Sequence, residues 1–136
     1  MDEMTKAQEI AISGMKAQSE RLRVVSENLS NADSLPTSPD QDPYRRKTIS
    51  FRNVLDKQLG ADVVKVDKID VDRSAFQKKY EPGHPAADAN GYVLAPNVNP
   101  LVELMDMREA QRSYEADMDV MEAARSLKTS TINTIR

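Results

Sequence analysis

His84 is the single histidine of the chain, and it stands in the stretch EPGHPAAD with Glu81 and Asp88 close by. One imidazole and two carboxylates could ligate a divalent cation, but zinc sites draw on a second histidine or on thiolates. The chain has no cysteine, so His84 reads as a polar turn residue between prolines. Asp70, Asp72, Ser74 and Glu81 fall at positions 1, 3, 5 and 12 of a calcium-binding loop. The position that must be glycine for the sharp turn is Ala75, and position 9 is Lys78. The spacing therefore implies no calcium site. Arg45, Arg46 and Lys47 form a basic run that is short and alone, which predicts a solvated strand edge and no nucleic-acid contact. There is no glycine-rich phosphate loop, no Gly-x-Ser-x-Gly elbow and no Cys/His pair. The sequence predicts no catalytic residue, no cofactor and no metal. The helix charges have ordinary uses as i,i+3 pairs: Glu3 with Lys6, Glu109 with Arg112, Glu122 with Arg125.

The elements that carry these residues are set by the two ends of the chain. Asn99 precedes Pro100, which suits an N-cap followed by proline at the first helical position. No glycine or proline follows, so one helix is expected from there to Arg136, on the order of 55 Å long at 1.5 Å per residue. Leu104, Met107, Ala110, Tyr114, Met118, Met121, Ala124, Leu127, Thr131 and Ile135 fall three or four apart, with Ile132 beside them. This is the period of a left-handed coiled-coil seam. A matching seam at the N-terminus runs through Met4, Ala7, Ala11, Gly14, Leu22, Val25, Leu29 and Ala32, interrupted at Gln18. Thr5 and Gln8 suit a capping box, and Gly14 suits close approach of another backbone. Asn31 suits a left-handed helix end.

Between the helices the sequence changes character. Residues 34–43 have loop composition. Strand-like patterns cover Tyr44–Phe51, Val63–Val71 (with a bulge between Val66 and Ile69), Phe76–Tyr80 and Tyr92–Val98, and Val54–Leu59 reads as one short helical turn stopped at Gly60. The expected fold is mainly α with a small β-rich insert. Its terminal helices pair as an antiparallel coiled-coil hairpin within a helical assembly. The divisions are 1–33, 34–98 and 99–136. Apolar residues such as Val24, Val102 and Met105 lie off the seams, so one partner helix cannot cover them all and other subunits are expected to. With 136 residues, a net charge of −3 and 4% aromatics, neither nucleic acid nor anionic lipid is an expected partner. No apolar run reaches the length of a membrane span, so no membrane insertion is expected, and the N-terminus MDEMTKAQE is unlike a secretory signal.

SENLSNADS at Ser26–Ser34 follows GMKAQSERLRVV and carries Asn28 and Asn31 in the pattern Asn-apolar-small-Asn. It resembles the N-terminal signature of the bacterial flagellar rod and hook axial proteins. YEPGHPAADANGYVLAPNVN, running into MREAQRSYEADM, is similar to the rod members of that family. The resemblance covers nearly the whole chain and is weakest over about 53–79. Asp117 stands where the family commonly has asparagine. It implies a non-enzymatic structural subunit of the proximal rod, a periplasmic drive shaft that transmits torque from the membrane ring to the hook. Export through the flagellar type III apparatus is implied. So are copies of itself, the rod proteins FlgB, FlgF and FlgG, and the ring–rod adaptor FliE as partners. Asn28 and Asn31 join the seam residues as expected helix and subunit contacts. The competing reading is a cytosolic helical adaptor or export chaperone, which would share the seams and the missing signal.

Overall fold

The computed structural model of the chain describes residues 2–135. Helix α1 spans Glu3–Ser30. It is capped by Asp2, whose carboxylate accepts from the Thr5 N–H at 2.7 Å and from the Thr5 hydroxyl at 3.1 Å. The cap thus lies three residues before the expected one at Thr5: an aspartate oxygen satisfies an N–H that would otherwise have no intrahelical acceptor. Among the described residues only glycines have a positive φ, so Asn31, at the other end, is not left-handed. Its side-chain amide instead donates to the Glu27 carbonyl at 2.9 Å and closes the last turn.

Strands β1 (Lys47–Asp56) and β2 (Ala61–Val71) are hydrogen-bonded neighbours. A connection of four residues between them permits only an antiparallel hairpin. Its turn corrects the helical reading of Val54–Leu59. The Asp56 carboxylate accepts from the N–H groups of Gln58 and Leu59, and Gly60, at φ 68°, donates to the Asp56 carbonyl at 2.8 Å. Val54 and Leu55 therefore remain in the strand. Strands β3 (Gln77–Tyr80) and β4 (Tyr92–Ala95) form a second antiparallel pair, with Gln77 opposite Ala95 and Tyr80 opposite Tyr92. Gly91, at φ 86°, sits beneath Tyr80. A Cβ there would lie 3.0 Å from the Tyr80 ring and 3.1 Å from Pro82. Helix α2 spans Pro100–Ile135, and the Asn99 side chain accepts from the Leu101 N–H at 3.1 Å, as its position before proline predicts.

The chain divides into two compact units, each drawing on α1, the β1–β2 hairpin and α2. One holds the described residues up to Leu22, Ile49–Lys68 and those from Arg108 onward; its buried apolar residues are Ala11, Ala17, Leu59, Val63, Ala110 and Ala124. The other holds Arg23–Thr48 and Ile69–Met107, with Val24, Val25, Ala86, Val93, Ala95 and Val98 buried. Among the described residues no helix is long and apolar enough to cross a membrane.

Candidate assembly surface

In the second unit, the end of α1, the start of β1 and the start of α2 meet in a polar cluster. Its centre is Glu103, which has no exposed surface, beside Asn28, which has almost none. Burying an ionised carboxylate is costly unless a cation and further donors surround it. Arg46 supplies the cation through Nε, and the Asn28 amide donates to Glu103 at 3.3 Å. Arg46 also reaches Asp106 at 3.5 Å and Asp72 at 3.6 Å. Burial works against the Arg46 charge, but these three carboxylates outweigh it and hold the guanidinium above its ordinary pKa. Asn28 is fully used. Its amide also donates to the Lys47 carbonyl at 2.9 Å, and its oxygen accepts from the Tyr44 hydroxyl at 2.6 Å and the Lys47 N–H at 2.9 Å. Burial, with the charges of Glu27 and Glu103, pushes the Tyr44 phenol up to about 12. Asn97 accepts from the Arg46 N–H at 2.7 Å and donates to the Asp72 carbonyl at 2.9 Å.

The basic run is consumed in this unit, which corrects the expectation of a solvated strand edge. Arg45 lies 4.2 Å over the Phe76 ring and donates to the carbonyls of Asp72 and Ser74. Lys47 pairs with Glu27 at 2.6 Å. The calcium-loop residues have local partners as well. Asp72 accepts from the Ser74 N–H, which holds its carboxyl below the ordinary value, and Asp70 lies 3.6 Å from Arg73. His84 accepts from the Ala86 N–H through Nδ1 at 3.0 Å, as a turn residue does. Among the described residues no group of three or more His, Cys, Asp or Glu side chains could hold a metal ion.

Among the described residues of the first unit, α1 and α2 touch at several levels. Lys128 donates to the Thr5 hydroxyl at 2.8 Å. A Cβ at Gly14 would fall 2.3 Å from Asp117 Oδ2, so the glycine makes room for that carboxyl. Arg21 pairs with Glu109 at 3.3 Å. Glu109 thus reaches across to α1, whereas Glu3 and Lys6 do form their i,i+3 pair, at 3.6 Å.

The comparisons with known proteins follow the same ends of the chain. A family model described as flagella basal body rod protein matches residues 9–34, and one described as flagellar basal body rod FlgEFG protein C-terminal matches residues 89–134. The flagellar basal-body rod protein FlgC of Agrobacterium fabrum is 52% identical over 136 residues, covering 100% of this chain and 98% of its own. The chain belongs to the FlgC family of flagellar basal-body rod proteins. FlgC of Salmonella typhimurium is 40% identical over 124 residues (91% of this chain, 92% of its own), and FlgC of Bacillus subtilis 38% over 133 residues (87% and 89%). As a member of the FlgC family the chain is a structural subunit of the basal-body rod, within an assembly that holds other rod components. The adaptor or chaperone reading is not favoured.

In this FlgC-family chain the expected contact residues fall into three groups. Ala11, Val25, Asn28, Ala110 and Ala124 are buried. Met4, Ala7, Gly14, Leu22, Leu29, Asn31, Met107, Tyr114, Met118 and Met121 are half-buried. Leu104, Leu127, Ile132 and Ile135 are exposed within the single chain, as are Leu101, Val102, Met105 and Val120. Ile132 and Ile135 share a helical face with Ala124 and Lys128, but Lys128 already lies level with Thr5, near the start of α1. Beyond it Ile132 lines a groove with Asp2, Glu3 and Met4, and Ile135 is left 80% exposed.

Sequence reasoning missed Glu103 and Arg46, the centre of the polar cluster. A signal was present: Ala110 and Ala124 lie fourteen apart, and steps of seven along that line reach Glu103 and Asp117. The most enclosed line of α2 thus alternates alanine with carboxylate.

Proposed function

We propose that this chain serves in the proximal part of the rod as a non-enzymatic subunit that polymerises into the drive shaft. Helices α1 and α2 act there as an antiparallel coiled-coil hairpin within a helical assembly. The observation that carries this is the order of contacts in the first unit. As α1 is followed from Thr5 to Gly14 to Arg21, the matching residue on α2 falls back from Lys128 to Asp117 to Glu109. The apolar side chains left exposed on α2, above all Leu127, Ile132 and Ile135, are then the surface that neighbouring subunits cover. Residues 1–33 and 99–136 make up the axial helical part, and 34–98 the insert outside it.

The neighbours on this reading are further copies of the chain, FlgB, FlgF and FlgG, and the ring–rod adaptor FliE. The type III apparatus delivers the subunit. A shaft under torque needs interfaces that resist shear, and long helices spread the load over many packed side chains. The test is to purify hook–basal bodies and crosslink them. The chain should be present and should crosslink through α2 to rod proteins. Its absence from the particles, with the protein retained in the cytoplasm, would overturn the assignment.

A further inference from the structure

We propose that the Gly14–Asp117 contact is a proton-dependent clasp, closed more tightly when the Asp117 carboxyl is protonated. In the first unit the carboxyl occupies the hollow left by the missing side chain of Gly14: both oxygens and Cγ lie within 3.3 Å of where a Cβ would stand. Asp117 is half-buried and, among the described residues, has no hydrogen-bond donor and no cation. One turn along α1 from Gly14, the side-chain oxygen of Gln18 is buried without a partner. Gln18 can turn its own amide N–H into that place, whereas the Asp117 carboxyl, part-buried and without a donor, is the group on which an added proton is favoured.

The charged groups around the contact do not relieve it. On the α2-facing side of α1, Arg21 is paired with Glu109, and Lys6 with Glu3 near the helix start. On α2 itself the residues one turn to either side of Asp117 are Ser113, Tyr114, Val120 and Met121, none of them a cation or an anion at neutral pH. On the hairpin, Asp56 and Lys65 line a groove of about 430 Å³ with Glu9, Lys16 and Glu20 of α1. Burial alone raises the Asp117 carboxyl above its ordinary value of 3.8, with no charge contributing.

The sign follows. A carboxyl whose proton affinity is higher in the fold than in the unfolded chain favours the fold at low pH. That advantage is full below 3.8 and is lost as pH rises through the raised value. Each pH unit separating the two values is a factor of ten in the folding equilibrium.

Hydrogen exchange of the α1 amides around Gly14 in the full-length free protein tests this, corrected for intrinsic rates. At pH 7 the Asp117→Asn variant, which keeps the shape without the charge, should be several-fold more protected than wild type. At pH 4 the two should converge. Equal protection at pH 7, or a difference unchanged at pH 4, would overturn the proposal. A carbon-13 titration of the Asp117 carboxyl in wild-type protein gives a reading independent of any variant. A midpoint at or below 3.8 would also overturn it.

Discussion

Replacing Arg46 by methionine keeps most of the side-chain volume and removes the charge that faces Glu103. The carboxylate has no exposed surface, so it cannot turn to solvent, and only the Asn28 amide at 3.3 Å would remain to it. Breaking a buried ion pair by removing one partner costs about 3–5 kcal/mol. Arg46 is 22% exposed, which places the expected loss near the lower end, about 3 kcal/mol. Against a typical domain stability of about 5–15 kcal/mol, that is a large fraction. The double variant Arg46→Met/Glu103→Met removes both charges, and apolar replacement of a whole buried pair is commonly neutral or stabilising. It should recover to within about 1 kcal/mol of wild type. Urea denaturation at pH 7, followed by far-ultraviolet circular dichroism, measures all three proteins. The reasoning fails if Arg46→Met alone stays within about 1 kcal/mol of wild type, or if the double variant is no more stable than the single one.

Met121 is half-buried and Glu122 exposed. Met121→Asp should cost about 2–3 kcal/mol and abolish motility, while Glu122→Asp should change stability by less than about 0.5 kcal/mol; equal motility and stability would contradict the seam. A chain ending at Ser126 loses the Lys128–Thr5 bond and the exposed Ile132 and Ile135. It should still be exported but should be missing from purified basal bodies, leaving cells non-motile, which fractionation and blotting would check; normal incorporation would refute the tail's role. Ultraviolet titration should show a phenolate step at about 12 that Tyr44→Phe removes. Because the fold holds that phenol protonated, the stability it contributes is full below 10 and is lost as pH rises through about 12.

Helix α2 was legible because its start rests on local chemistry. Asn99 and Pro100 mark the start of α2 by side-chain capping and a fixed φ, and both act as their types predict. The strands were legible in outline, but Asp56 defeated the reading of its neighbourhood. An aspartate that accepts two backbone N–H groups, with Gly60 following, makes a hairpin turn where apolar spacing alone suggests a helical one. The polar cluster was not legible, because its members come from residues 28, 44–47, 72, 97 and 103–106. No local pattern joins them, and a glutamate at a core position reads as surface until a cation from another element is seen beside it. The three-or-four spacing put Leu104 on the seam of α2. Leu104 carries the apolar type, yet Glu103 takes the enclosed place because Arg46 and Asn28 stand opposite.

The enclosed places of the helix seam in the first unit include several side chains that have no rotamers. Ala11, Ala110 and Ala124 are buried there, and Gly14 receives Asp117. Where leucines or methionines interdigitate, a sheared contact can yield by hopping between side-chain wells, dissipating work and returning late. Alanine and glycine offer no such wells, so these positions cannot yield in that way. Such a contact should respond to load as an elastic solid with little internal friction. A shaft built on it would store strain reversibly through each turn and give it back without hysteresis.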